Sequence, residues 1–507
     1  MEQGDILESA SSIETDDDDD LNLWDEREDE ANEAFINDVH DAEAIIEKQE
    51  YSKCSISVSI QLEELSPVVR RLWDLGGSSS LDIILDGVHK TNYRQDDTGA
   101  VTVRYRLDDS PQCRFPVGES LANIARGFIE KEFRASNIRR FLPSLRKMLK
   151  ERLPFAASVC MMCGSKLLIG GVLPSICSGE LCTFQNQELG QFEGLVVVTM
   201  RCSPDVLSLL LIAFDAANLS HRRAAILTPA PPHLPADRLA NLCKELEFKE
   251  YISSADDKKY ITLLTDLVRR FPCPAELLES TSAFASIQQR TPEVIKFAEW
   301  LVLSNGSYLE RVPKSFTVPL FGTEHQFIFL TDSPAKQQEF ASLKQLHGGK
   351  TRYLFHGSPK ENWHSIIRSG LKNMSNTPYM LVGQAYGPGI YFSPQLHTSF
   401  GYAQVSVIQN PRTECAGDQC CLYTATTHAI VAVVEVVDAP GVFSCDNANV
   451  CVVPDDKWAS IRMLLMYPTN TNPAAVNLCN LTASDRRLIE HVTNFFMHAD
   501  ISQRVLA

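Results

Sequence analysis

Two groups of residues carry most of the chemistry this chain can offer. Cys160, Cys163, Cys177 and Cys182 form a Cys-x2-Cys and a Cys-x4-Cys, separated by 13 residues. Two close pairs on tight turns supply the four soft donors of a tetrahedral zinc site, and Gly164 and Ser178-Gly179 are suitable turn residues. Four thiolates leave no open coordination position, so the expected metal is structural. The competing reading is a set of buried free thiols, which act as small hydrophobes; Cys202 and Cys273 fall outside the spacing and read as core residues. The second group lies further on: His356-Gly357-Ser358, then Gly387-Pro388-Gly389-Ile390-Tyr391-Phe392-Ser393, then Ser399-Phe400-Gly401-Tyr402. Singly, each has an ordinary explanation as a core histidine, a turn glycine or a strand tyrosine. Jointly, in this order, they leave little room for coincidence.

These residues need elements to hold them. Ser358-Pro359-Lys360-Glu361 reads as a capping box with proline at the first helical position, and Trp363, Ile366 and Ile367 then share one side until Gly370. A strand, a tight turn and a helix place His356 and Gly357 at a strand end, where a ligand can reach them. Further strands are expected at Gly389 to Ser393, Ala429 to Val437 and Ile461 to Tyr467.

The order and spacing of these motifs resemble the NAD-binding core of the diphtheria-toxin-like ADP-ribosyltransferases, the poly(ADP-ribose) polymerase family. Within it, the chain is similar to members with a cysteine-rich region ahead of the catalytic domain, and the likeness reads most clearly from about Phe297 onward. The resemblance implies an α+β transferase with a strand-rich split sheet, and an enzyme that takes NAD as substrate. Transfer needs the nicotinamide held rigidly while its bond to ribose lengthens. By resemblance, the N–H and C=O of Gly357 grip the carboxamide with the Ser399 hydroxyl as third partner. Tyr402 stacks on the ring, Tyr391 closes the other side, His356 bonds a ribose 2′-hydroxyl, and Ser358 completes the cofactor-binding set.

Two departures stand out. Gly401 replaces an asparagine found in many members. More consequentially, chain-elongating relatives carry a glutamate four residues before the tyrosine that ends the last strand; here the position is Met463. With His356 and Tyr391 it makes up the catalytic set, yet a thioether cannot serve as a general base. The implied activity is mono-ADP-ribosyl transfer to protein acceptors, the chain itself included, through an Asp/Glu carboxylate or a Cys thiolate that brings its own nucleophilicity. The rival is a catalytically silent scaffold that binds NAD or ADP-ribose.

The remaining sequence sets bounds. Net charge is −17, but residues 1–50 hold 20 Asp/Glu against two Lys/Arg, a local −18 that leaves +1 for the rest. Global charge therefore argues neither for nor against a nucleic-acid partner. The Met1 to Asp5 start does not read as a signal peptide, and no apolar run approaches the roughly 20 residues of a membrane helix. An intracellular, soluble protein with no membrane partner is expected, cytoplasmic or nuclear. The expected organisation is a disordered acidic tail over 1–50 and a small α+β domain over 51–135, with Ser120 capping its helix. A basic helix and four-cysteine zinc module follow over 136–190, then a helical region over 191–295 that packs on the catalytic domain, and the transferase domain over 296–507. Residues 134–152 carry seven Lys/Arg and one acid on an amphipathic helix that Pro143 interrupts, read as a solvated face. Gln404 to Thr427, with Cys415, Cys420 and Cys421, reads as a variable surface loop.

Overall fold

The protein is described by a computed structural model covering residues 32–49, 53–73, 75, 77–89, 101–107, 116–133, 138–177, 179–187, 202–231, 234–249, 257–377, 380, 385–403, 428–468 and 481–498. The loop expected at Gln404 to Thr427 lies outside these residues, as does most of the acidic tail. The chain divides into two compact units.

The first unit comprises Met1–Gln61, Ser78–Gln112 and Ala122–Glu151. Its sheet is an antiparallel meander of β1 (Ile45–Gln49), β2 (Lys53–Gln61), β3 (Ser80–His89) and β4 (Thr102–Leu107), paired in that order. Cys54, Ile56, Val58 and Ile60 are buried as period-two alternation implies, but Ser55 and Ser57 between them are buried as well, so this strand is covered on both faces over part of its length. Order begins earlier than the composition of the acidic tail suggests, with a helix over 32–41 followed by β1. Phe35, Val39 and Ala42, at helical spacing, are buried. The surrounding charge is matched from far along the chain, since Asp38 and Asp41 lie 3.8 and 3.9 Å from Arg139 and Glu43 pairs with Arg146. A local count of acids cannot see those partners. The basic helix Ile138–Arg152 buries Ile138, Phe141, Leu142, Leu145 and Leu149 and runs through Pro143 without a break. Ser120 is not a cap: the helix starts at Pro116 and encloses it.

The second unit comprises Leu62–Gly77, Cys113–Leu121 and Arg152–Ala507. Five antiparallel strands pair in the order β5 (Tyr308–Arg311), β6 (Gln326–Thr331), β12 (Ala459–Pro468), β9 (His428–Val437), β7 (Thr351–Gly357). A second sheet pairs β10 (Cys445–Asp446), β11 (Cys451–Val453) and β8 (Ile390–Phe392). The two sheets meet where Phe355 of β7 bridges Ser393 just past β8, giving the expected split sheet. β9 is sandwiched between β12 and β7, and its residues from Ala429 to Val437 are all buried. Across the helical region, Pro204–Leu219 is buried nearly all round. It packs against the Lys360–Asn362 turn and the Trp363–Ser369 helix that follow β7, with Phe214 edge-on to Phe297, Trp300 and His364. No helix among the described residues is long and apolar enough to cross a membrane.

Candidate active site

β7 is an edge strand of its sheet, and the site grows from that fact. In an antiparallel ladder, successive residues turn their peptide groups to alternate sides. Phe355 turns outward, its N–H donating to the Ser393 carbonyl at 2.8 Å and its C=O accepting from Ser393 N–H at 2.9 Å. Two residues on, the N–H and C=O of Gly357 face the same outward side, where the bridge has ended and no described residue bonds them. An exposed donor and acceptor on one peptide complement a primary carboxamide, which carries one acceptor oxygen and two N–H donors.

The third side of this notch is the short helix Leu396–Phe400. A Cβ built on Gly357 would lie 1.7 Å from the Ser399 carbonyl oxygen and 3.3 Å from Ala403 N, so only glycine admits this approach. The buried Ser399 hydroxyl donates to the Phe355 carbonyl at 2.9 Å, which leaves its lone pairs as acceptors beside Gly357. Tyr402, half-exposed, follows within one turn, its N–H donating to Ser399 O at 3.1 Å.

His356 precedes the notch. Its Nδ1 lies 2.8 Å from the Tyr391 carbonyl oxygen, which fixes the ring and turns Nε2 away from β8. Desolvation holds the imidazole below its ordinary pKa, against that hydrogen bond, so it is neutral near pH 7. The half-buried Tyr391 hydroxyl donates to Gly387 O at 2.7 Å and accepts from Tyr386 N–H at 3.0 Å, tying the glycine turn to the strand. Gly357, His356, Tyr391 and Ser399 are thus brought together by β7, β8 and one helix.

Within this geometry, residues 317–438 match the model for the poly(ADP-ribose) polymerase catalytic domain. That stretch is similar to a poly(ADP-ribose) polymerase catalytic domain. The chain is also similar to the protein mono-ADP-ribosyltransferase PARP8 of Mus musculus, at 28% identity over 65% of this chain and 39% of that protein. The PARP8 of Homo sapiens is 27% identical over the same shares. The chain spans about two-fifths of the length of these relatives.

Two sequence-based expectations for this domain need adjustment. Ser358 does not cap a helix. Its hydroxyl oxygen accepts from Asn362 Nδ2 at 2.8 Å, its carbonyl accepts from Trp363 Nε1 at 3.2 Å, and a 3-10 turn intervenes before the helix. Met463 is fully buried, in register with Val433 and, through it, Phe355. The residue in the row of His356 is Leu464, through Ala432. Register shifts between Ile461 and Met463, an irregularity that leaves Arg462 to bond Glu435 at 2.7 Å. Met463 and His356 therefore lie on opposite sheet faces, with Met463 on the face of Phe355.

The four cysteines also converge. All four Sγ atoms lie within 4.8 Å of one another, and Cys163 and Cys177 sulfurs are 3.7 Å apart. Zn–S bonds of about 2.3 Å in a tetrahedron require sulfurs about 3.8 Å apart. Gly164 N–H donates to Cys160 O at 2.9 Å to close the first turn, and a Cβ on Gly179 would come 3.3 Å from Cys177 Sγ and 4.0 Å from Cys182 Sγ. Burial pushes the Cys177 and Cys182 thiols up. Burial also opposes ionisation of Cys163, yet hydrogen bonds from Ser165 and the neighbouring thiols outweigh it and bring that group to about 6. Crowded thiols that resist joint ionisation are those a cation would draw into thiolates, so the donor set fits zinc. Cys202 is buried as expected; Cys273 is buried too, but as a disulfide-bonded residue.

Proposed function

We propose that this protein is a mono-ADP-ribosyltransferase that takes ADP-ribose from NAD, releases nicotinamide and modifies protein side chains. The observation that carries the reading is the peptide of Gly357 at the end of β7, which no described residue bonds on its outward side, with the Ser399 hydroxyl beside it. Gly357 N–H donates to the carboxamide oxygen, and Gly357 C=O and Ser399 Oγ accept its N–H groups. Tyr402 and Tyr391 cover the two ring faces. His356, fixed through Nδ1, presents Nε2 to a ribose 2′-hydroxyl. Holding the leaving group and ribose in one geometry is the main catalytic contribution available here.

Single-unit transfer rests on the resemblance, in which the position of Met463 carries the elongating glutamate; here the residue is a thioether, buried on the sheet face opposite His356. Elongation needs a base at the 2′-hydroxyl of an attached ADP-ribose, and a buried thioether flanked by Ile328 and Val433 offers none. The acceptor therefore brings its own nucleophilicity as a carboxylate or a thiolate, on other proteins or on the chain itself. The names of the relatives as mono-ADP-ribosyltransferases support this reading. In the same proposal Cys160, Cys163, Cys177 and Cys182 hold one structural zinc.

Incubating purified protein with labelled NAD and mapping modified sites by mass spectrometry tests it. Discrete single ADP-ribose increments on Asp, Glu or Cys are expected. NAD binding without any transfer would leave the silent scaffold as the better account.

A further inference from the structure

The helical region reaches the nucleotide turn through a polar relay. Arg222 follows the buried helix Pro204–Leu219 and directs Nη1 to Glu361 Oε1 and Asn362 Oδ1, both at 3.1 Å. Its side chain is largely buried, at 13% exposure. Asn362 in turn donates Nδ2 to Ser358 Oγ at 2.8 Å. A primary amide has one acceptor end and one donor end. With the acceptor end engaged by a guanidinium that can only donate, the donor end is committed to Ser358. Ser358 Oγ then has its acceptor role filled, and its O–H donates to no described residue. Ser358 is 7% exposed and immediately follows the Gly357 notch.

We propose that Arg222 is a positioning residue for NAD: by fixing the amide of Asn362 it leaves the Ser358 hydroxyl free to donate a hydrogen bond to an acceptor oxygen of the bound dinucleotide. The inference rests on the NAD-binding reading above. Arg222 lies over 130 residues from the turn it orders, in a region whose sequence offers only packing helices. An arginine whose role was to join two surfaces would be served equally by any partner accepting its charge. Glu361 already accepts that charge at 3.1 Å; the second partner is an amide whose two ends differ, so the relay has a direction.

The direction gives the test. Asn362→Asp still accepts from Arg222, now as an ion pair, but cannot donate to Ser358, whose hydroxyl must then turn toward the aspartate. Titration calorimetry with NAD on full-length protein is expected to show affinity reduced about tenfold in Asn362→Asp, the loss of one hydrogen bond worth about 1.4 kcal/mol. Its melting temperature should equal or exceed that of the parent. Arg222→Leu should lose a similar factor, and Ser358→Ala should add no further loss in either background. Parent-like NAD affinity in folded Asn362→Asp, or losses that simply add with Ser358→Ala, overturns the relay while leaving the NAD site standing. Absence of NAD binding by the unmodified protein overturns the parent reading and this inference with it.

Discussion

Gly357→Ala puts the site under the most direct strain. The new Cβ would lie 1.7 Å from the Ser399 carbonyl oxygen and 2.7 Å from its carbon, where contacts under 3.0 Å are essentially never tolerated. The oxygen belongs to main chain, so no side-chain rotation relieves the clash. The Leu396–Phe400 helix must retreat by about 1.3 Å to restore the 3.0 Å limit. That distance breaks the 2.9 Å hydrogen bond from Ser399 to Phe355 and strains the edge-on contact of Phe400 with Tyr467 at 5.2 Å. Overpacking of this kind costs about 1–3 kcal/mol, and the lost hydrogen bond adds about 1 kcal/mol. Since a misplacement of about 1 Å can lower rates about a hundredfold, transfer should fall by at least that factor while the protein stays folded. Thermal melting and single-turnover transfer from labelled NAD on the same preparation provide the check. Parent-like transfer in Gly357→Ala would show that the notch is not where the nicotinamide is held, whatever its effect on stability.

Other outcomes follow from the same geometry. Tyr391→Phe removes the hydroxyl that ties Tyr386 and Gly387 to β8; NAD affinity should fall with a stability change of about 1 kcal/mol, read by calorimetry and melting. Purified protein should contain one zinc per chain. Cys163→Ser or Cys177→Ser should lower both metal content and stability, because binding is coupled to folding; elemental analysis finding none would remove the metal site. Met463→Glu should not yield polymer and should destabilise the protein, since the carboxylate would replace a side chain with no exposed surface; a polymer ladder on a denaturing gel would contradict this. Desolvation depresses the His356 pKa in the folded state, so the unfolded chain takes up a proton there first. This contribution to stability is intact above about pH 6.5 and is lost as pH falls through the folded value. Melting curves should show a shallower acid slope in His356→Phe than in the parent.

Local pattern determined much of this protein. Alternation placed β2 and β4, an apolar run broken only by Glu435 placed β9, and the cysteine spacing singled out the four sulfurs that come within 4.8 Å. The Gly-x-Gly-Ile-Tyr and Ser-x-x-Tyr motifs were legible because glycine and aromatic requirements are properties of single residues. Longer-range relations decided the rest. The basic partners of Asp38 and Glu43, Arg139 and Arg146, lie roughly a hundred residues away. The Ser-Pro-Lys-Glu motif has the right types for a capping box, but Arg222 takes Glu361 and Asn362 takes Ser358. Which face Met463 occupies depends on a register shift in β12 that no count of residues reveals. The openness of the Gly357 peptide follows from β7 being an edge strand. Periodicity and turn chemistry act over a few residues and survive in a string of letters, whereas strand order, register and the partner of a buried charge are fixed only when distant segments compete for the same hydrogen bonds.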